Sequence, residues 1–180
     1  MPSTNSSSRP SWPNIAALIA VAACARFLPH MPANFSPVGA MGLYAGAMLS
    51  WPWALAISLT GLFFSDLVLG LYNPITMLFV YVGLGLNVFL GTWICSLNGN
   101  PARIATASLA GAILFFIVSN FGVWLSGGLY LRDLNGFVEC YVAAIPFFGN
   151  TLASELLFGF ILFGLHHAME VLRLRRESLR

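Results

Sequence analysis

The sequence predicts an all-α polytopic membrane protein with six transmembrane helices, on three observations. Of 180 residues, 58% are hydrophobic and 8% carry a formal charge, whereas a soluble domain carries about 25% charged residues. The apolar residues fall into runs divided by Pro, Gly and Asn turn signals. The eight basic residues are all arginine and concentrate on alternate connections between those runs. At roughly 20 residues per span plus short loops, six spans fill the chain and leave no room for a soluble domain. A mean hydropathy of +0.82 with a formal charge of +2 also excludes a cytosolic enzyme, a disordered chain and a nucleic-acid binder.

Residues 1–13 are rich in Ser and Pro and read as a disordered cytoplasmic tail. Residues 14–172 form a single transmembrane helical domain, and 173–180 an Arg-rich cytoplasmic tail. The first apolar run, 15–28, ends in a loop over 29–37 stiffened by Pro29, Pro32 and Pro37. The second, 38–49, is Gly- and Ala-rich and short, so it is either a thin span or a re-entrant segment. Trp51-Pro52-Trp53 opens the third span, with Pro suited to the first helical turn and two aromatics suited to an interface. Tyr72-Asn73-Pro74 separates it from the fourth span, 75–97, which stops at Asn98-Gly99-Asn100-Pro101. The fifth covers about 103–125 and stops at Ser126-Gly127-Gly128. A polar stretch over 126–141 then precedes the last span, about 143–171.

With six spans, Arg9, Arg103, Arg173, Arg175, Arg176 and Arg180 share one side, and Arg26 and Arg132 the other. The positive-inside rule then places both termini in the cytoplasm, and the chain in the inner membrane. Val21-Ala22-Ala23-Cys24 is similar to a lipobox. The apolar run continues past it after a single upstream Arg, so an uncleaved first span is favoured. Cys24, Cys95 and Cys140 have neither CxxC spacing nor an even count, which argues against a zinc site or a disulfide framework.

Ionisable groups inside a bilayer cost about 2.5–3.5 kcal/mol each on insertion scales, so each requires a reason. Arg26, Asp66 and Glu155 fall in the outer half of the predicted bundle, with His30 one turn beyond Arg26. Asn120 and Trp124, and Asn150 and Ser154, are i, i+4 pairs at the same depth. Two readings follow. Arg26 pairs with Asp66 or Glu155 as a structural tie between helices, or the groups line a polar pocket open to the outside. The loops 29–37, carrying His30, Asn34 and Phe35, and 126–141 stand where they could cover it. The outer half holds Asp66, Asp133, Glu139 and Glu155 against Arg26 and Arg132, a field that favours positive charge unless these groups pair internally. His166-His167 with Glu170 reads as an interfacial polar cap, because no further metal ligands accompany it. No nucleotide-binding or nucleophile motif is present, so any ATP-derived energy belongs to another subunit. Ala16 and Ala20 give the first span a small-xxx-small face that permits close helix packing.

Four stretches, Arg26-Phe-Leu-Pro-His30 with Asn34-Phe-Ser-Pro-Val38-Gly-Ala40, Ser65-Asp66-Leu67 with Leu69-Gly70, Asn120-Phe-Gly-Val-Trp124, and Pro146-Phe-Phe with Asn150-Thr151, carry a resemblance. Together they resemble an uncharacterised bacterial family of six-helix membrane transport proteins. That family is similar in fold to the substrate-binding (S) components of energy-coupling-factor (ECF) transporters. The sequence departs from it at Ala33, an apparent insertion, at Gly149, where Arg is usual, and at Glu155, where Asp is usual.

The resemblance implies an S-component-like fold that binds a small molecule from outside under the loops after spans one, three and five. It also implies a transmembrane coupling subunit and ATPases as partners, docked on the Ala16 and Ala20 face. The expected function is therefore capture of a small polar nutrient, vitamin-like or cationic or zwitterionic, without catalysis, metal or cofactor. Arg26, His30, Asn34, Asp66, Asn120, Trp124, Asn150 and Glu155 are the expected contacts. The alternative is a structural or assembly subunit of a larger membrane complex, for which a fully packed interior is expected.

Overall fold

The computed structural model describes residues 12–27, 32–94 and 100–179. Every regular element among them is helical: α1 (Trp12–Cys24) with a 3-10 turn (Ala25–Phe27), α2 (Val38–Met48), α3 (Trp51–Leu69), α4 (Pro74–Ile94), α5 (Pro101–Ser126) and α6 (Leu134–Ser178). The expected loop residue His30, the thiol of Cys95, and residues 1–11 of the expected tail lie outside the described residues. Four helices, α3 to α6, are long and apolar enough to cross a membrane. The chain is thus a membrane-embedded helical protein in character.

The short helix α2 organises the rest. It packs against α1, α3, α4, α5 and α6, and those five also meet in turn, α1 with α3, α3 with α4, α4 with α5, α5 with α6, and α6 with α1. The result is a ring of five helices around a central one. Accordingly Val38 to Gly46 are all buried, on every face of α2. Small residues make this possible, because helix association without a hydrophobic drive depends on close backbone approach. A Cβ at Gly46 would fall 2.0 Å from the Val88 carbonyl oxygen, and one at Gly91 2.1 Å from that of Leu43. Glycine at both positions lets α2 and α4 cross in backbone contact. The segment expected as a thin span or a re-entrant segment is thus a core helix, buried on all faces over residues 38–46.

Around α2 the core is apolar at the Met48 end, where Ile15, Ile19, Leu49, Ile104, Leu162 and Phe163 pack on it. One polar contact interrupts it: the Tyr44 hydroxyl lies 2.8 Å from His166 Nδ1, both buried. His166 is therefore a core partner of α2, not part of an interfacial cap, while its neighbour His167 is exposed.

The α5–α6 connection is shorter than the sequence implied. The residues 134–141, read as loop, are the first turns of α6, and Asp133 caps them by accepting from the Gly136 amide at 2.8 Å. The turn itself, 127–133, begins with Gly127 in the left-handed region at φ 68°. Pro146 sits inside α6 without ending it. At ~1.5 Å per residue, helix α6 exceeds the ~30 Å hydrocarbon core about twofold, so its ends project beyond any bilayer it crosses.

Candidate functional site

Helix α2 spans 11 residues, or ~16 Å at the α-helical rise, about half the depth of a ~30 Å hydrocarbon core. The ring that surrounds it is longer, so the ring's interior beyond the N-terminal end of α2 is left to side chains and space. A cavity of about 320 Å³ lies there. Among the described residues, helices α2 to α6 and the segments before α2 and α4 contribute to its wall. Arg26 comes from the 3-10 turn, Asn34 and Ser36 from the segment before α2, and Val38 and Gly39 from α2 itself. Leu62 comes from α3 and Tyr72 from the α3–α4 turn. Helix α4 supplies Thr76 and Val80 one turn apart, and α5 supplies Phe115, Ser119 and Val123 at i, i+4, i+8 with Asn120 beside them. Thr151 and Glu155, again i, i+4, come from α6.

Glu155 is 2% exposed. Its Oε1 accepts from Asn87 Nδ2 at 3.3 Å, and its Oε2 has no hydrogen-bond partner among the described residues. Room for the carboxylate exists because residue 39 is glycine: a Cβ there would lie 1.4 Å from Glu155 Oε1. Gly111 does the same for Asn87, whose Oδ1 would be 2.5 Å from a Cβ at 111.

Arg26 stands across the cavity wall from this group. Its Nη1 donates to Asp66 Oδ1 at 2.9 Å and also to Ser65 Oγ. Asp66 is 1% exposed and takes a second bond, from the Tyr81 hydroxyl at 3.0 Å to Oδ2. The tie between helices and the polar pocket are thus the same structure: Asp66 holds Arg26 from behind, and Arg26 faces the cavity. Tyr72, in the turn above, has its phenol pushed up to about 12, chiefly by burial and further by the Asp66 charge, with Arg26 opposing.

Of the eight contacts expected from sequence, Arg26, Asn34, Asn120 and Glu155 line the cavity together. Asp66, Trp124 and Asn150 stand outside its lining. Asp66 acts through Arg26. Asn150 donates from Nδ2 to the Ala33 carbonyl at 3.0 Å, tying α6 to the segment whose Asn34 and Ser36 line the cavity. Phe35 packs edge-on against Phe158 in the same seam, and Asn34 takes φ 62°, a left-handed conformation that Asn tolerates. Trp124 donates from Nε1 to the Leu131 and Asp133 carbonyls, so it fastens the α5–α6 turn. His30 lies outside the described residues.

Sequence reasoning missed Ser36, Tyr72, Thr76, Ser119 and Thr151. A signal existed for Thr151, four residues before Glu155, because i, i+4 residues share a face. The pair chosen instead, Asn150 and Ser154, is rotated by one position: Asn150 bonds outward to the loop, and Ser154 Oγ bonds the Thr151 carbonyl. The expected acidic surplus also changes, since Asp66 is held by Arg26 and Asp133 caps α6. Among the described residues, Glu155 is the one carboxylate in the cavity lining.

No curated protein and no solved structure matches the chain. One family does, over residues 6–177, a family of unknown function, DUF6580. Its match spans nearly all of the helical domain, and the chain belongs to that family.

Proposed function

We propose that the protein is a substrate-binding membrane subunit that captures a small polar molecule in the cavity beyond α2. The observation that carries this reading is Glu155: a carboxylate 2% exposed, in the wall of a 320 Å³ cavity, with one oxygen unpartnered among the described residues. A buried polar group without a partner costs about 1–3 kcal/mol. A group kept at that cost beside a cavity is a ligand contact by its chemistry. A structural subunit would be expected to fill the space, so the cavity weighs against the alternative.

Six membrane crossings belong to this proposal, with both termini in the cytoplasm of an inner membrane and the cavity opening outward. The arginine asymmetry supports that orientation. The motifs resemble a family that is itself similar in fold to ECF S components, and by that analogy the proposal adds a coupling subunit and ATPases as partners. Ala16 and Ala20, the expected docking positions, lie on the exposed face of α1. Thermal unfolding of the purified protein in nanodiscs, against a panel of vitamins, amines, amino acids and sugars, tests capture. At least one compound is expected to raise Tm. The rise should vanish in Ser119→Trp, which fills the cavity from α5. A panel without effect, or a rise unchanged in Ser119→Trp, would sink the reading. Co-purification of the native protein with nucleotide-hydrolysing subunits tests the partners.

A further inference from the structure

We infer that the cavity takes a zwitterion, with an ammonium group against Glu155 and a carboxylate against Arg26. This inference rests on the capture reading above and specifies the charge pattern of the ligand. Among the described residues, two charged side chains line the cavity, one of each sign. No ion pair joins them: Arg26 pairs with Asp66 alone among the described residues. They therefore present opposite charges to the same enclosed space without cancelling each other.

Each keeps bonding capacity on the ligand's side. Arg26 makes both its contacts through Nη1, so Nε and Nη2 remain without a partner among the described residues. A guanidinium presents its donors as a planar fork suited to a carboxylate. Asp66 is buried behind Arg26 and is absent from the cavity lining, so an entering molecule meets the cation and not its partner. At the other pole Glu155 Oε2 has no donor. An ammonium supplies three.

The wall between these poles carries Leu62, Val80, Phe115 and Val123. Apolar side chains there match a methylene chain and offer nothing to a third charge. A singly charged ligand would satisfy one pole and leave either the spare Arg26 donors or Glu155 Oε2 without a partner, which in a buried site weakens binding. A zwitterion matches both and brings no net charge into the membrane interior.

The test is thermal unfolding in nanodiscs with γ-aminobutyrate, δ-aminovalerate and ε-aminocaproate, compared with pentylammonium, valerate and uncharged valeramide at equal concentration. At least one amino acid in the series is expected to raise Tm where the singly charged and uncharged compounds do not. Glu155→Gln, which keeps the shape and removes the charge, should weaken that ligand about tenfold or more. Arg26→Lys, which can still neutralise Asp66 but lacks the fork, should weaken it as well, with the loss confined to ligands bearing a carboxylate. Stabilisation by pentylammonium, valerate or valeramide equal to that by the amino acids, lost in Ser119→Trp, would overturn the zwitterion and leave capture standing. Stabilisation by no compound in this series or in the broader panel would overturn both.

Discussion

Glu155, Gly39 and Asn87 act as one unit, since the carboxylate occupies the volume a β-carbon on residue 39 would take and bonds the Asn87 amide. Gly39→Ala must displace the carboxylate and lose that bond, a cost of about 1–3 kcal/mol for a buried polar group left unpaired. The expected result is a lower Tm than wild type, with Gly149→Ala unchanged as the control, because nothing lies within 4 Å of a Cβ at 149. Equal Tm for both variants would show that residue 39 does not set the Glu155 position. Tyr72 gives a second residue-scale outcome. Its phenol, raised from 10.0 to about 12 with burial the largest cause, keeps its proton in the folded chain where the unfolded chain loses it. Stability should therefore fall as pH rises from about 10 towards 12, and Tyr72→Phe should flatten that part of the profile. A profile identical in Tyr72→Phe and wild type would count against the half-buried placement of the phenol near Asp66. At this scale the sequence announced Arg26, Asp66 and Glu155, because charges in apolar runs are rare enough to read singly. It did not announce Ser119 or Thr151, since a neutral side chain on a membrane helix costs too little to mark it, nor Tyr72, which in a turn reads as an interfacial aromatic.

At the scale of elements, turn chemistry was legible wherever Pro and Gly carried it. Trp51-Pro52 opens α3, Asn73-Pro74 opens α4, and Asn100 caps α5 by accepting from the Ala102 amide at 2.9 Å. The start of α6 was hidden for a physical reason. Its first turns carry Asn135, Gly136 and Glu139 and project past the apolar span, so composition there reads as loop while the backbone is helical. The central place of the Gly-rich second run was also hidden, because its length suited a thin span or a re-entrant segment and did not show what surrounds it. Backbone contact at Gly46 and Gly91 makes the difference, and it is testable. Gly46→Ala or Gly91→Ala puts a methyl about 2 Å from a main-chain oxygen of the facing helix. Neither atom can swing away, so α2 and α4 must part. Overpacking of this kind costs about 1–3 kcal/mol, occasionally more. Either variant should unfold well below Gly164→Ala, where an added Cβ meets nothing within 4 Å. Similar Tm values for all three would contradict the close crossing.

For the whole molecule, the cavity follows from a mismatch of lengths: a core helix of 11 residues inside a ring whose members α3, α4 and α5 run 19, 21 and 26 residues. The unfilled half must lie at one end of α2, and the charges select which. Arg26, Asp66 and Glu155 all belong to the N-terminal half of the space, whereas the Met48 end is closed by Ile104, Leu162 and Phe163. On the proposed capture reading, a site closed at one end and lined at the other would receive ligand from a single side of the membrane, so the side it faces decides what it could capture. In the proposed orientation, which the arginine distribution supports, that side is the exterior. Single cysteines test the assignment in a background with Cys24, Cys95 and Cys140 replaced by Ala. Gly128→Cys, in the α5–α6 turn at the cavity end, is expected to react with a membrane-impermeant maleimide on intact cells. Ser178→Cys, at the far end of α6, is expected to react only after the cells are opened. The reverse pattern would turn the cavity towards the cytoplasm, where capture from outside fails whatever the ligand's charge.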